Sequence, residues 1–165
     1  DISMIANGFL AGLVAITAPC AFVNSISAVI IGVIAGILLC ISVFFVERVM
    51  KVDDPVGAFS VHGVNGTWGV LALGLFADGT YGEGFNGVAG TVKGLFFGDS
   101  AQFFAQVIGT VTNIVFVFVI MYVFFKVLDK IVPLRVSEEM ELEGLDHFEV
   151  GVVAYPEFHL NKPHR

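Results

Sequence analysis

The sequence predicts an all-α membrane protein of four transmembrane helices followed by a polar tail, and three observations carry that prediction. Of 165 residues, 56% are hydrophobic and only 14% charged, against a soluble norm of roughly 45–50% apolar and about 25% charged. Mean hydropathy is +0.88. Charge-free runs extend from Ile2 to Val46 and from Ser100 to Phe125, and a third, Pro55 to Ala77, is broken only by His62. A bilayer core is crossed by about 20 helical residues. Each run is long enough to cross, and the first is long enough to cross twice.

The elements follow in order. Within the first run, Thr17-Ala18-Pro19-Cys20 and then Asn24-Ser25 mark a reversal, because proline restricts the residue before it and Asn-Ser favours turns. Helices are therefore expected at about 3–16 and 27–46. The connection 47–54 carries Glu47, Arg48, Lys51, Asp53 and Asp54, and Asp-Asp-Pro supplies the acidic cap and early proline of a helix start. A third helix is expected over 55–76. Residues 77–99 are too rich in glycine for a span and read as an extramembrane loop. A fourth helix over 100–131 exceeds what a bilayer needs, so tilt or an overhang is expected.

Orientation follows from the cations. Lys126, Lys130 and Arg135 follow the fourth span, and Arg48 and Lys51 lie between the second and third. The positive-inside rule then puts the 47–54 connection and the tail 132–165 in the cytoplasm and the 77–99 loop outside. The tail retains Leu142, Leu145, Phe148, Val150, Val152 and Val153, too many apolar residues for a purely solvated segment, so it is expected to dock. The chain opens on Asp1 with no methionine, basic n-region or cleavage site, so the first run does not read as a signal peptide. It reads as a chain begun in mid-protein.

Several classes of function find no support. Net charge is −7 with no basic patch, which excludes nucleic-acid binding. Cys20 and Cys40 lie in apolar sequence without metal-ligand spacing and read as small hydrophobes. The glycines of 79–90 do not follow a strand and open a helix as a dinucleotide site requires. With no nucleophile-base pair either, neither an enzyme, a metal nor a cofactor is expected.

His62 is the residue that points to chemistry. Eight positions after Asp54, it lies about 12 Å along the third helix, near a bilayer midplane. An ionisable group there is costly and marks a substrate or proton path, and imidazole can accept a proton on one nitrogen while donating from the other. The plain alternative is a neutral histidine bonded to a neighbouring helix. Ala58 and Gly66, four residues either side, leave room for a narrow passage. Gly63, Gly66 and Gly69, with Gly8/Gly12 and Gly32/Gly36, also read as close-packing surfaces. Asp53 and Asp54 could bind a cation, yet an acidic pair at a helix N-terminus is better explained as a cap. Trp68, Tyr81 and Tyr122 read as interfacial anchors.

The segments NGFLAGLVAITAPCA (7–21), AVIIGVIAG (28–36), DDPVGAFSVHGVNGTWG (53–69), GLFADGTYGEGFNGVAG (74–90) and RVSEEMELEGLDHFEVGVVAYP (135–156) resemble, in order, signature segments of the Amt/Mep/Rh ammonium transporters. The resemblance implies the last four of eleven transmembrane helices, in a multi-pass protein of the inner or plasma membrane that assembles as a homotrimer with one pore per subunit. His62 matches the second of the family's paired pore histidines, Ala58 a pore-lining position, and Thr17 the segment closing one side of the conduction site. The first histidine and the outer recruiting residues would lie in an N-terminal remainder, so this part alone is not expected to transport. The implied activity is ammonium recruitment, deprotonation, ammonia passage along a hydrophobic pore, and proton relay through the histidines. The alternatives are an ammonium sensor, or a channel for another small neutral solute, on the same fold. The tail resembles a regulatory region that responds, in many bacterial members, to PII-type signalling proteins; it departs where relatives often have histidine-glycine and this chain has Val150-Gly151.

Overall fold

The computed structural model describes residues 2–84, 87 and 89–152. Among these the regular structure is helical, with one isolated bridge between Asp78 and Lys93 in place of any sheet. The chain divides into two compact units, Asp1–Phe116 and Val117–Arg165.

The first unit is built on three helical segments. Helix α1 spans Ile2–Thr17 and α2 spans Ser25–Phe45. Between them the turn ends in Asn24, whose side chain accepts from the Ser27 N–H at 3.0 Å and so caps α2. A π-helical turn, Val46–Met50, prolongs α2 until Lys51 takes a left-handed conformation (φ 54°). The third segment begins as a π-helix, Phe59–Val64, and continues as α3, Asn65–Phe76.

Contacts fix the directions of these helices. Asn7 Nδ2 donates to the Val56 carbonyl at 3.0 Å at one end of the unit. Ala15 meets Gly69 toward the other end, so α1 and α3 run parallel. The buried residues of α2, namely Ser27, Ile31, Ala35, Leu39 and Ser42, recur every three or four positions and form one stripe. Ile31 and Ala35 pack with Ala15 and Ala72, and Leu39 packs with Ala11 and Val61, so α2 is antiparallel to both.

Glycine permits the tightest approach. A Cβ on Gly69 would meet the Ala15 carbonyl group, its carbon at 3.0 Å. The other glycines expected at packing surfaces behave differently. Gly8, Gly12, Gly32 and Gly36 face open space, and Gly63 meets only the Phe59 ring of its own helix. Trp68 is half-buried, donates its indole N–H to the Ile31 carbonyl at 3.1 Å, and meets Phe76 edge-on.

The glycine-rich segment contains a 3-10 turn, Leu95–Phe97, and then Asp99 caps helix α4, Ser100–Ile131, accepting from the Ala101 N–H at 2.9 Å. Gly74 lets α3 approach the Phe103 backbone on α4. Among the described residues two helices are long and apolar enough to cross a membrane, Ser25–Met50 and Ser100–Ile131, while Ile2–Thr17 is apolar but shorter at 16 residues.

In the second unit, Lys126 lies over the Tyr122 ring at 5.7 Å, and two short helices follow, α5 (Glu138–Glu143) and α6 (Leu145–Val150). Ser137 caps α5, accepting from the Met140 N–H. The tail expected over 132–165 lies outside the described residues from 153 onward.

Candidate functional site

The site is built on the π-helix that precedes α3. His62 is exposed there, and it is the only acidic, basic or imidazole side chain of α1, of Ser25–Phe45 and of Phe59–Phe76. Ala58, one turn earlier, is exposed as well. The intervening Ser60 and Val61 are buried at 0% and 2% exposure.

Helical phase makes that exposure informative. His62 and Gly69 are seven residues apart, as are Ala58 and Asn65, and in an uninterrupted α-helix each pair lies within about 20°. Gly69 and Asn65 are buried against the neighbouring helices. An α-helix throughout would therefore turn His62 and Ala58 into that contact. The wider turn of the π-helix, with bonds from i to i+5, moves burial to Gly57, Ser60 and Val61. His62 is thereby released to the open side.

A buried polar layer lies beneath the turn. The Ser42 hydroxyl on α2 donates to the Ser60 hydroxyl at 2.8 Å. The Asn65 Nδ2 donates to the Ser60 carbonyl at 2.9 Å, and the Asn65 backbone N–H turns to the His62 carbonyl. Only the amide nitrogen can serve the Ser60 carbonyl, which leaves Asn65 Oδ1 buried with no partner among the described residues. An unsatisfied buried acceptor costs about 1–3 kcal/mol. None of Ser42, Ser60 and Asn65 was assigned a role on sequence grounds; the signal was the pair of polar residues, five apart, flanking His62.

The other anticipated residues are placed as follows. Thr17 ends α1 on an exposed face with its hydroxyl donated to the Leu13 carbonyl at 2.7 Å. It lies six residues beyond Ala11, the α1 partner of Val61, or roughly 9 Å further along the axis. Ala58 and His62 are thus together, and Thr17 is displaced toward the opposite end. The Asp54 carboxylate accepts from the Phe59 N–H at 3.1 and 3.3 Å, while Asp53 is exposed.

Chemically, this is an apolar three-helix arrangement that displays one imidazole, able to give and take a proton, on a face left exposed by the described residues. The sequence model of the Ammonium Transporter Family matches residues 1–155. The chain belongs to the ammonium transporter family. An ammonium transporter of Archaeoglobus fulgidus, Amt2, is 45% identical over 158 residues, covering 96% of this chain and 33% of that protein. The ammonium transporter of Bacillus subtilis is 39% identical over 149 residues, covering 90% of this chain and 35% of that protein. The crystal structure of Saccharomyces cerevisiae Mep2 superposes with a TM-score of 0.71 at 25% identity, over 82% of this chain and 30% of Mep2. The chain thus spans about a third of the length of the relatives it matches. Membership makes it a membrane protein, and its helical fold is that of the matching part of Mep2.

Proposed function

We propose that the chain supplies the His62-bearing wall of a pore that conducts ammonia or ammonium across the membrane. The carrying observation is the exposure of His62 and Ala58 on the open side of an otherwise apolar unit, in a chain whose named relatives transport ammonium. A bare cation is costly in hydrocarbon, whereas a neutral amine requires only hydrogen-bond partners. Ammonium therefore gives up its proton before the apolar stretch, ammonia passes along it, and His62 takes part in returning the proton. Ala58 keeps the lumen narrow at that level, and Thr17 lines it toward the other end.

The remainder of the reading follows the family. Four helices cross the cell membrane, the N-terminal remainder covers the open face, and three copies assemble with one pore each. Residues 77–99 are extracytoplasmic. Residues 132–165 are cytoplasmic and form the surface on which a PII-type partner would act. Asp53 and Asp54 are structural residues at a helix start, not ligands for the cation.

The decisive experiment uses the full-length protein in proteoliposomes, with ammonium-evoked current as the readout. His62→Ala is expected to lose most of that current while the yield of folded protein is kept. Wild-type current in this variant would sink the pore reading.

A further inference from the structure

We propose that Asn65 is a positioning residue, whose side-chain amide holds the wide turn that swings His62 off the helix-packing face and onto the open one. The proposal rests on the pore reading only for its consequence in transport; the geometry stands apart from it.

Three observations converge on Asn65. The burial pattern slips by one residue between the two halves of the third segment: Gly57, Ser60 and Val61 are buried where uninterrupted α-helix would bury Ala58 and His62. The slip occurs across the five-residue step from Ser60 to Asn65, which the Asn65 Nδ2 spans by donating to the Ser60 carbonyl at 2.9 Å. This side-chain bond covers the i to i+5 interval of a π-helix, while the Asn65 backbone N–H is directed to His62. From the other side, the Ser60 hydroxyl is held by Ser42 of α2 at 2.8 Å.

Stability alone gives no reason for an asparagine here. It is wholly buried, and Oδ1 has no partner among the described residues, whereas an apolar side chain of similar size would bring no unsatisfied acceptor of its own. What asparagine adds is a donor aimed at one carbonyl. Without it, the more regular α-helical phase becomes competitive, and that phase turns His62 toward α1.

The test uses full-length protein in proteoliposomes, otherwise free of reactive cysteine through changes that include Cys20→Ser and Cys40→Ser. In that background, His62→Cys places a thiol at the turn, and a small methanethiosulfonate reports its accessibility. Adding Asn65→Leu, or Asn65→Ala where added bulk impairs folding, is expected to slow labelling at least tenfold. Unchanged labelling in both would overturn the proposal whatever transport does. In the background with His62 intact, Asn65→Leu is expected to lower uptake at least tenfold and to give the residual uptake the pH profile of His62→Ala. The double variant His62→Ala/Asn65→Leu should be no worse than His62→Ala alone; multiplied losses would mean that Asn65 acts elsewhere and would also overturn the proposal. If His62→Ala transports normally, the pore reading fails, and the labelling rates alone decide the role of Asn65.

Discussion

Ser42 and Ser60 join α2 to the π turn through a single buried hydrogen bond, 2.8 Å between their hydroxyl oxygens. Either serine alone, facing alanine, becomes a buried hydroxyl without this partner, so Ser42→Ala and Ser60→Ala should each lower stability by about 1 kcal/mol. The double variant should lose clearly less than the sum. Thermal unfolding of the four proteins in detergent measures the coupling, and strict additivity would show that the two hydroxyls act independently.

Gly69 should tolerate no side chain. A Cβ there meets the Ala15 carbonyl group, and forcing α1 away from α3 is overpacking, which costs typically about 1–3 kcal/mol. Gly63→Ala is the comparison, since its new methyl group meets only the movable Phe59 ring. The unfolding temperature should fall more for Gly69→Ala than for Gly63→Ala; the reverse order contradicts the packing described.

Trp68 ties α3 to α2 through the Ile31 carbonyl. Trp68→Phe keeps the aromatic contact and removes the donor, so a loss of about 0.5–1.5 kcal/mol is expected. Trp68→Ala removes the half-buried ring as well and should cost more, toward about 3 kcal/mol, the lower end for truncating a core aromatic. A residue that served only at the membrane edge would show little of this difference.

Asp54 separates a cap from a cation ligand. Its carboxylate oxygens accept from the Phe59 N–H, and loss of a cap costs about 0.5–2 kcal/mol. Asp54→Asn retains an acceptor and should keep near-normal stability and uptake; Asp54→Ala should unfold earlier. Loss of uptake in Asp54→Asn at unchanged stability would show that the charge itself is required.

The tail offers a prediction in hydrogen exchange. Within α5 and its ends, the Glu141 N–H bonds to the Ser137 carbonyl and the Gly144 N–H to that of Met140. If the tail docks beneath the assembled protein, amides 138–150 should exchange over minutes or longer. Exchange complete within seconds would count against docking.

How much of this was legible in sequence varies with the kind of interaction. Helix α4 was readable to its ends, because its apolar run is preceded by Asp99, a capping residue at the right place. The reversal near Pro19 and Asn24 was readable for the same reason: turn and cap chemistry is local. The π turn was not. A shift from i+4 to i+5 bonding leaves no mark in composition, and a regular α-helix aligns Ala58, His62 and Gly66 on one face. In the structure Ala58 and His62 are exposed, while Gly66 is half-buried against Val14. The tie that Trp68 makes is not legible in sequence, because its partner is a main-chain carbonyl 37 residues away. A Cβ at the glycines of α1 and α2 would meet no described residue beyond its own stretch of helix within 4 Å, since small size permits close packing without requiring it.

The cap of α2 also restrains the other end of the unit. Asn24 uses both ends of its amide: Oδ1 receives the Ser27 N–H, and Nδ2 reaches the Asp78 carboxylate at 3.2 Å. Asp78 is held further by its own N–H on the Phe22 carbonyl and by the Thr80 N–H on its free oxygen. Swinging Asp78 outward would therefore detach the amide that starts a neighbouring helix. The junction between α3 and the glycine-rich segment is therefore an anchorage instead of a hinge.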